Sequence, residues 1–252
     1  MKIIINADDC GYNRHVNEHI EKAIQERKIS STTIMANMDD FEGAVTLYNK
    51  YKNHISFGFH LNLTEGHPLT YSQLLLDKGF YSEKDGLIFF NGGEFRRKML
   101  SSRMRTEISK EIMAQAVRLK DSGINISHID SHHFMHQAVF MLVVLPDICD
   151  KIGIRKVRNY RNYMPQSASR ILRNTWKQIL LCQNKNLCFT DWFNGYKDWL
   201  VDYHKDVVFG KTDDTLELMT HPGGIYYDEE LLMFQTDLRR FDNIDIINYN
   251  DL

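Results

Sequence analysis

Two adjacent carboxylates, Asp8 and Asp9, stand in Asn6-Ala-Asp-Asp-Cys-Gly11, directly behind the apolar run Ile3-Ile4-Ile5. At the exit of a buried strand such neighbours repel, and keeping both ionised at neutral pH calls for a cation or a hydrogen-bonding partner. A metal ion is the cation we expect; the plain alternative is a solvated Asp-Asp turn capping the next helix. Imidazoles recur in comparable places: His60 in Ser56-Phe-Gly-Phe-His-Leu-Asn-Leu63, His132 in His128-Ile-Asp-Ser-His-His133, and His221 in Thr220-His-Pro-Gly-Gly224. Alone, each strand histidine reads more readily as a hydrogen-bonded structural residue, and the last motif as a turn. Their joint placement at strand ends favours one site. One carboxylate and two imidazoles with open positions suit a divalent ion such as Zn, Mg, Mn or Fe(II).

The elements that must position these groups alternate. The apolar run at 2–7 reads as a strand, and Val16, Ile20, Ala23 and Ile24 space a helix over 13–27. Ser31 to Asn37 is a β-branched strand, followed by a helix from Phe41 to Tyr51. In the strand from Ser56, Phe57, Phe59, Leu61 and Leu63 share one face and Ser56, Gly58, His60 and Asn62 the other. The rhythm breaks over 66–100, with Pro68, a hairpin around Asp85-Gly86 and Gly92-Gly93; we read an insertion over the site. A helix through Ile108, Ile112, Ala116 and Leu119 ends near Gly123. In the strand beyond it His128, Asp130 and His132 share a face, which makes His132 the ligand candidate with Asp130 behind it. A helix over 138–152, a short strand Lys156-Val-Arg-Asn159, a helix through Ile171, Leu172, Trp176, Ile179 and Leu180, and strands at 187–193, 216–220 and 244–249 complete the chain.

Such alternation predicts an α/β fold with parallel strands. The length, and the lack of GxGxxG or GxxxxGK[ST], favour a TIM-like (β/α) barrel over an open doubly wound sheet. We expect seven strands, a small insertion after the third, and one domain over 1–252. In such a barrel functional groups gather at the carboxyl ends of the strands, where Asp8, Asp9, His60, His132 and His221 all fall.

Composition narrows the partners. The 31 Lys and Arg against 33 Asp and Glu give a formal charge of -2 over 252 residues, so no global field holds a nucleic acid. No uninterrupted run of about 18 apolar residues suggests a membrane span, and the start reads as a mature strand, not a signal peptide. Cys10, Cys149, Cys182 and Cys188 show no CxxC pair, in keeping with reduced thiols and a cytoplasmic location. A homodimer stays open.

Four stretches resemble the signatures of the YdjC-like carbohydrate deacetylases, which include the chitooligosaccharide deacetylases: Asn6-Ala-Asp-Asp-Cys-Gly11, Gly58-Phe-His-Leu-Asn-Leu-Thr64, His128-Ile-Asp-Ser-His-His133 and Thr220-His-Pro-Gly223. The closing Ile244-Asp-Ile-Ile-Asn-Tyr-Asn-Asp-Leu252 is similar to that family's final strand. The resemblance implies a deformed barrel that hydrolyses the N-acetyl group of an amino sugar or small oligosaccharide, using one divalent ion, generally Mg²⁺ or Zn²⁺. It also implies Asp9, His60 and His132 as metal ligands and Asp8 as base, with His221 as the acid that protonates the departing amine. Physical chemistry suits those roles: a carboxylate beside a ligand can take a proton from water, and an imidazole can deliver one near neutral pH.

Two positions depart from the family pattern. Cys10 replaces a bulky aromatic, which bears on packing beneath the site or on a sulfur ligand. Phe134 replaces a third consecutive histidine and so bears on a substrate contact, which His136 could take over. Arg158 could orient Asp8, bind an anionic sugar substituent, or form a rim salt bridge. Phe80, Tyr81, Phe89 and Phe90 could stack on a sugar or form the hairpin's own core, and Tyr160 to Tyr163 could line the cleft. The rival functions are a metal-dependent phosphoesterase, which calls for more basic residues at the mouth, and a catalytically inactive sugar-binding barrel.

Overall fold

A computed structural model describes residues 1–160, 187–203, 213–224 and 244–252. The expected helix through Ile171 and Trp176, residues 161–163 and Cys182 lie outside them. The central sheet is parallel throughout. Its strands are β1 (Lys2–Cys10), β2 (Ser31–Ile34), β3 (Ser56–Leu61), β6 (Ile129–Ser131), β7 (Trp192–Gly195) and β8 (Thr215–Thr220), in the order β6-β3-β2-β1-β8-β7. The two-residue β9 (Asp245–Ile246) pairs with Lys2 and Ile3 of β1 and makes the sheet seven-stranded.

One of the strands expected from the sequence does not form. Lys156 to Asn159 forms isolated parallel bridges, Val157 to Ile129 of β6 and Lys156 to Cys188, instead of a strand. Beyond them the Asn159 side chain donates to the carbonyls of Thr190 (2.6 Å) and Asp191 (3.4 Å), taking acceptors that a backbone ladder would use. The strand expected at 187–193 begins five residues later, at Trp192, and runs to Gly195.

Helices α1 (Arg14–Gln25), α2 (Phe41–Tyr51), α4 (Ser102–Asp121) and α5 (Met141–Ile152) pack on the sheet, and α6 (Tyr196–Tyr203) follows β7 directly. Their start signals are local: Asn13 accepts from Val16 N at 2.9 Å, and Ser101 accepts from Met104 N at 3.3 Å. Val16, Ile20, Ala23 and Ile24 form the buried stripe of α1. Between β3 and α4 lie the short α3 (Gln73–Asp77) and the hairpin β4 (Tyr81–Lys84) and β5 (Leu87–Phe90), turning at Asp85-Gly86. Phe80, Tyr81 and Phe90 are buried in the common apolar cluster, so these rings are the insertion's core and not a sugar platform; Phe89 is half-buried against His67.

Residues 62–70 are tied down from within. Buried Gln115 of α4 accepts from Asn62 N (3.2 Å) and donates to Asn62 O (2.7 Å), while Glu111, also fully buried, accepts from Leu69 N and from Thr70 N and Oγ1. Below the site, Tyr249 fills the base of the sheet, its ring stacked on His128 at 3.5 Å and 9°. Gly58 permits this, because a Cβ there would lie 2.4 Å from the His128 ring.

Candidate active site

Adjacent residues of a strand point to opposite faces, so Asp8 and Asp9 cannot share a site on a regular strand. The register of β1 against β2 shifts between Ala7 and Cys10, and Asp9 takes φ 68°. This irregularity swings the Asp9 carboxylate to the mouth beside Asp8, and aspartate tolerates the left-handed region better than most residues. Cys10 then points into the core. It is fully buried, with Sγ 3.5 Å from Asn17 Oδ1 and burial pushing its thiol up to about 12, so it is not a ligand candidate.

Asp9 Oδ1 receives both imidazoles, His132 Nδ1 at 2.8 Å and His60 Nε2 at 3.1 Å. The donor atoms of Asp9, His60 and His132 lie within 4.8 Å of one another. β6 ends at Ser131, and His132 opens a short 3₁₀ turn, His132–Gln137, in which His133 and Phe134 take positive φ. The alternating strand drawn through His133 thus stops two residues early, yet His132 still reaches Asp9.

Asp130 stands behind His60 and not behind His132. The parallel register sets His60 beside Asp130, and His60 Nδ1 meets Asp130 Oδ1 at 2.7 Å, with Thr33 Oγ1 donating to Asp130 Oδ2 at 3.0 Å. Burial would lower the His60 pKa, but the charge and hydrogen bond of Asp130, with Asp9 and Asp8, raise it to about 10. His132 is also raised: burial works against its charge, and the nearby carboxylates of Asp9 and Glu65 prevail. Asp9 is held well below the carboxylate range by the same two rings, against burial. Such surroundings favour added positive charge, which a divalent ion would supply. The donor set fits one: a carboxylate and two imidazoles, one ring oriented by a carboxylate through its other nitrogen.

Asp8 is almost wholly buried and forked by Arg158, whose Nη1 and Nη2 donate to its two oxygens at 2.7 and 2.6 Å; Asn6 Nδ2 donates to Asp8 Oδ1 at 2.9 Å. Burial would raise its pKa; Arg158, with His60 and His221, instead holds it at about 2. Arg158 is no rim residue. Its side chain has no exposed surface, and it also meets Asp130 Oδ2 (2.8 Å) and Glu217 Oε1 (2.7 Å). Those donors are spent on the interior, which removes it as a binder of an anionic substituent. His221 Nε2 lies across the mouth, 3.9 Å from Asp8 Oδ2, with 42% of its side chain exposed.

His136 does not line the mouth. It is buried, its Nδ1 2.6 Å from Ser131 Oγ, and burial together with the Arg158 charge pushes its pKa down to about 3. Tyr160 is likewise buried. Sequence reasoning did not single out Glu217 or Glu65. Glu217 is fully buried, and burial raises its pKa to about 7 despite Arg158 and the hydroxyl of Tyr249, which donates to it. Glu217 lies in the apolar-looking Leu216-Glu-Leu-Met-Thr220, where a lone acid inside a strand was the available signal. Glu65 Oε2 is 3.4 Å from His132 Nε2 and accepts from Tyr12 OH at 3.0 Å.

Residues 2–248 match the model of the YdjC-like protein family. The chain is 32% identical over 235 residues to a carbohydrate deacetylase of Brevibacillus brevis, covering 92% of this chain and 84% of that protein. It is 35% identical over 154 residues to a carbohydrate deacetylase of Vibrio campbellii, covering 61% of this chain and 57% of that protein. Among solved structures, a protein of Enterococcus faecalis V583, provisionally described as a cellobiose-phosphate cleavage protein, has the same fold: TM-score 0.69 at 20% identity, covering 99% of this chain and 98% of that one.

Proposed function

The chain belongs to the YdjC-like family, and from that premise we propose that it is a hydrolase that removes the N-acetyl group of an amino sugar or small oligosaccharide. The observation that carries the reading is the division of labour between two neighbouring carboxylates. Asp9 gathers two imidazoles at one oxygen, while Asp8 is turned inward and clamped by Arg158. Asp9, His60 and His132 would hold the divalent ion, Mg²⁺ or Zn²⁺, which when bound acidifies water and polarises the acyl carbonyl.

The remaining work falls to the side chains. Asp8 stays ionised at any working pH because Arg158 holds it so; that pairing also makes it a weak base, one that orients water and accepts its proton only once the water is acidified. Arg158 keeps both Asp8 oxygens in a fixed plane. His221, partly exposed on the far side of Asp8, would hand a proton to the departing amine. Asn6 and Thr33 keep Asp8 and Asp130 in place.

A panel of N-acetylated sugars and phosphomonoesters, assayed for acetate and phosphate with Mg²⁺, Zn²⁺ and EDTA, tests the reading. We expect acetate release that EDTA abolishes; phosphate release without acetate would transfer the site to phosphoester chemistry. Asp8→Asn should lower kcat by about 10²- to 10⁴-fold with metal content unchanged, and full activity in that variant would remove Asp8 as base.

A further inference from the structure

The two imidazoles at Asp9 present opposite nitrogens. His60 turns Nε2 to Asp9 and gives Nδ1 to Asp130; His132 turns Nδ1 to Asp9, so its Nε2 is the atom that needs a second partner. A metal-bound imidazole is neutral and carries its proton on the other nitrogen, where a carboxylate or carbonyl normally fixes it. His132 Nε2 is buried and makes no hydrogen bond, and a carboxylate oxygen, Glu65 Oε2, faces it at 3.4 Å.

Glu65 does not reach this position by chance of rotamer alone. Asn62 accepts from Thr64 N (3.1 Å) and Glu65 N (3.2 Å) and donates to Glu65 O (2.8 Å), folding residues 62–65 into a tight loop. Asn62 is itself fixed by Gln115 of α4 and by Asn37, which also donates to His67 O at 3.0 Å. From the other side Tyr12, just beyond the irregular end of β1, donates its hydroxyl to Glu65 Oε2. The loop after β3, the end of β1 and the turn after β6 therefore converge on one carboxylate.

We propose that Glu65 is the positioning residue of His132: its carboxylate takes the Nε2 proton and so presents Nδ1 to the metal, as Asp130 presents Nε2 of His60. The inference rests on the reading of Asp9, His60 and His132 as a divalent-ion site. A short approach, a few tenths of an ångström by a side chain that is 35% exposed, turns the 3.4 Å contact into a hydrogen bond.

The test is calorimetric titration of the metal-free protein with ZnCl₂ alone, together with ¹⁵N-histidine NMR of the zinc-loaded protein. Glu65→Ala should weaken zinc binding about 10- to 100-fold. Glu65→Gln, which keeps the shape and one acceptor, should fall between it and the wild type, and it carries the test if Glu65→Ala does not fold. The His132 signals of the wild type should show the proton on Nε2. Unchanged zinc affinity in both variants, with or without a raised KM, or a His132 proton found on Nδ1, overturns the assignment. A wild-type protein that binds no zinc overturns the metal-site reading and this inference with it; a wild type that binds while the variants bind equally well overturns this inference alone.

Discussion

The interior of the barrel and its mouth solve the same electrostatic problem in different ways. Inside, Asp8, Asp130 and Glu217 surround Arg158, and the side chains are 0–3% exposed. Each carboxylate there meets the guanidinium, so the chain supplies its own counter-charge. At the mouth, Asp9, His132 and Glu65 are 17%, 10% and 35% exposed, and the groups that face the carboxylates are imidazoles whose charge depends on a proton. The interior is a fixed scaffold; the mouth favours positive charge brought to it. Asp8 lies on the boundary, clamped from within and facing His221 outside.

Removing Arg158 should break that contrast most severely. Arg158→Met strands the buried carboxylates, and a loss of about 3–5 kcal/mol is expected in chemical denaturation; a variant of wild-type stability would show that the interior does not depend on the guanidinium. His132→Ala acts on the other side, and elemental analysis should find metal content lost from a protein that still folds. Retained metal would remove His132 from the ligand set.

Stability against pH sharpens the comparison further. His60 is raised to about 10 from an ordinary value near 6.5, so its contribution is full below about 6.5 and is lost as pH rises towards 10; His132 has the same sign. Glu217, raised to about 7 in the interior, loses its contribution between about 4.5 and 7. Asp8, lowered to about 2, does the opposite: its contribution is present above about 4 and disappears as pH falls to 2. Melting curves of the metal-free protein should therefore drop by roughly 5 °C or more between pH 7 and 10, and saturating Zn²⁺ should flatten that alkaline limb while leaving the acid limb unchanged. An alkaline limb indifferent to metal would sink the contrast.

The smallest effect belongs to Tyr249→Phe. It removes the hydroxyl donated to Glu217 but keeps the ring on His128, so a loss of about 1.5–3 kcal/mol with unchanged zinc affinity is expected from denaturation and calorimetry. A fall in zinc affinity would mean that interior and mouth are one unit.

Much of this was legible in the residues and some was not, for reasons that follow from range. Strand and helix periods are local, so β1, α1, α2, β3 and the hairpin at Asp85-Gly86 fall close to where their patterns place them. The clustering at strand ends likewise follows from the parallel fold. Partner choice is not local. Asp130 supports His60 because β6 lies beside β3 across a 67-residue gap in sequence, whereas parity within one strand linked it to His132. Arg158 reads from the sequence as a partner of Asp8, an anion binder or a rim cation alike, and only the neighbouring strands reveal three carboxylates around it. The shift that turns Asp9 outward depends on pairing with β2, and Glu65 hides in a loop whose shape is set by Asn62 and α4.

The placement of Tyr249 has a consequence for the order in which the molecule can be made. Residues 245–249 pair with the first residues of β1 and lie against His128 and Glu217. During synthesis β1, β3, β6 and β8 all emerge before the piece that seals their base. The base beneath His128 and Glu217 is thus closed by the last of these pieces to be made, on the side of the sheet away from the mouth.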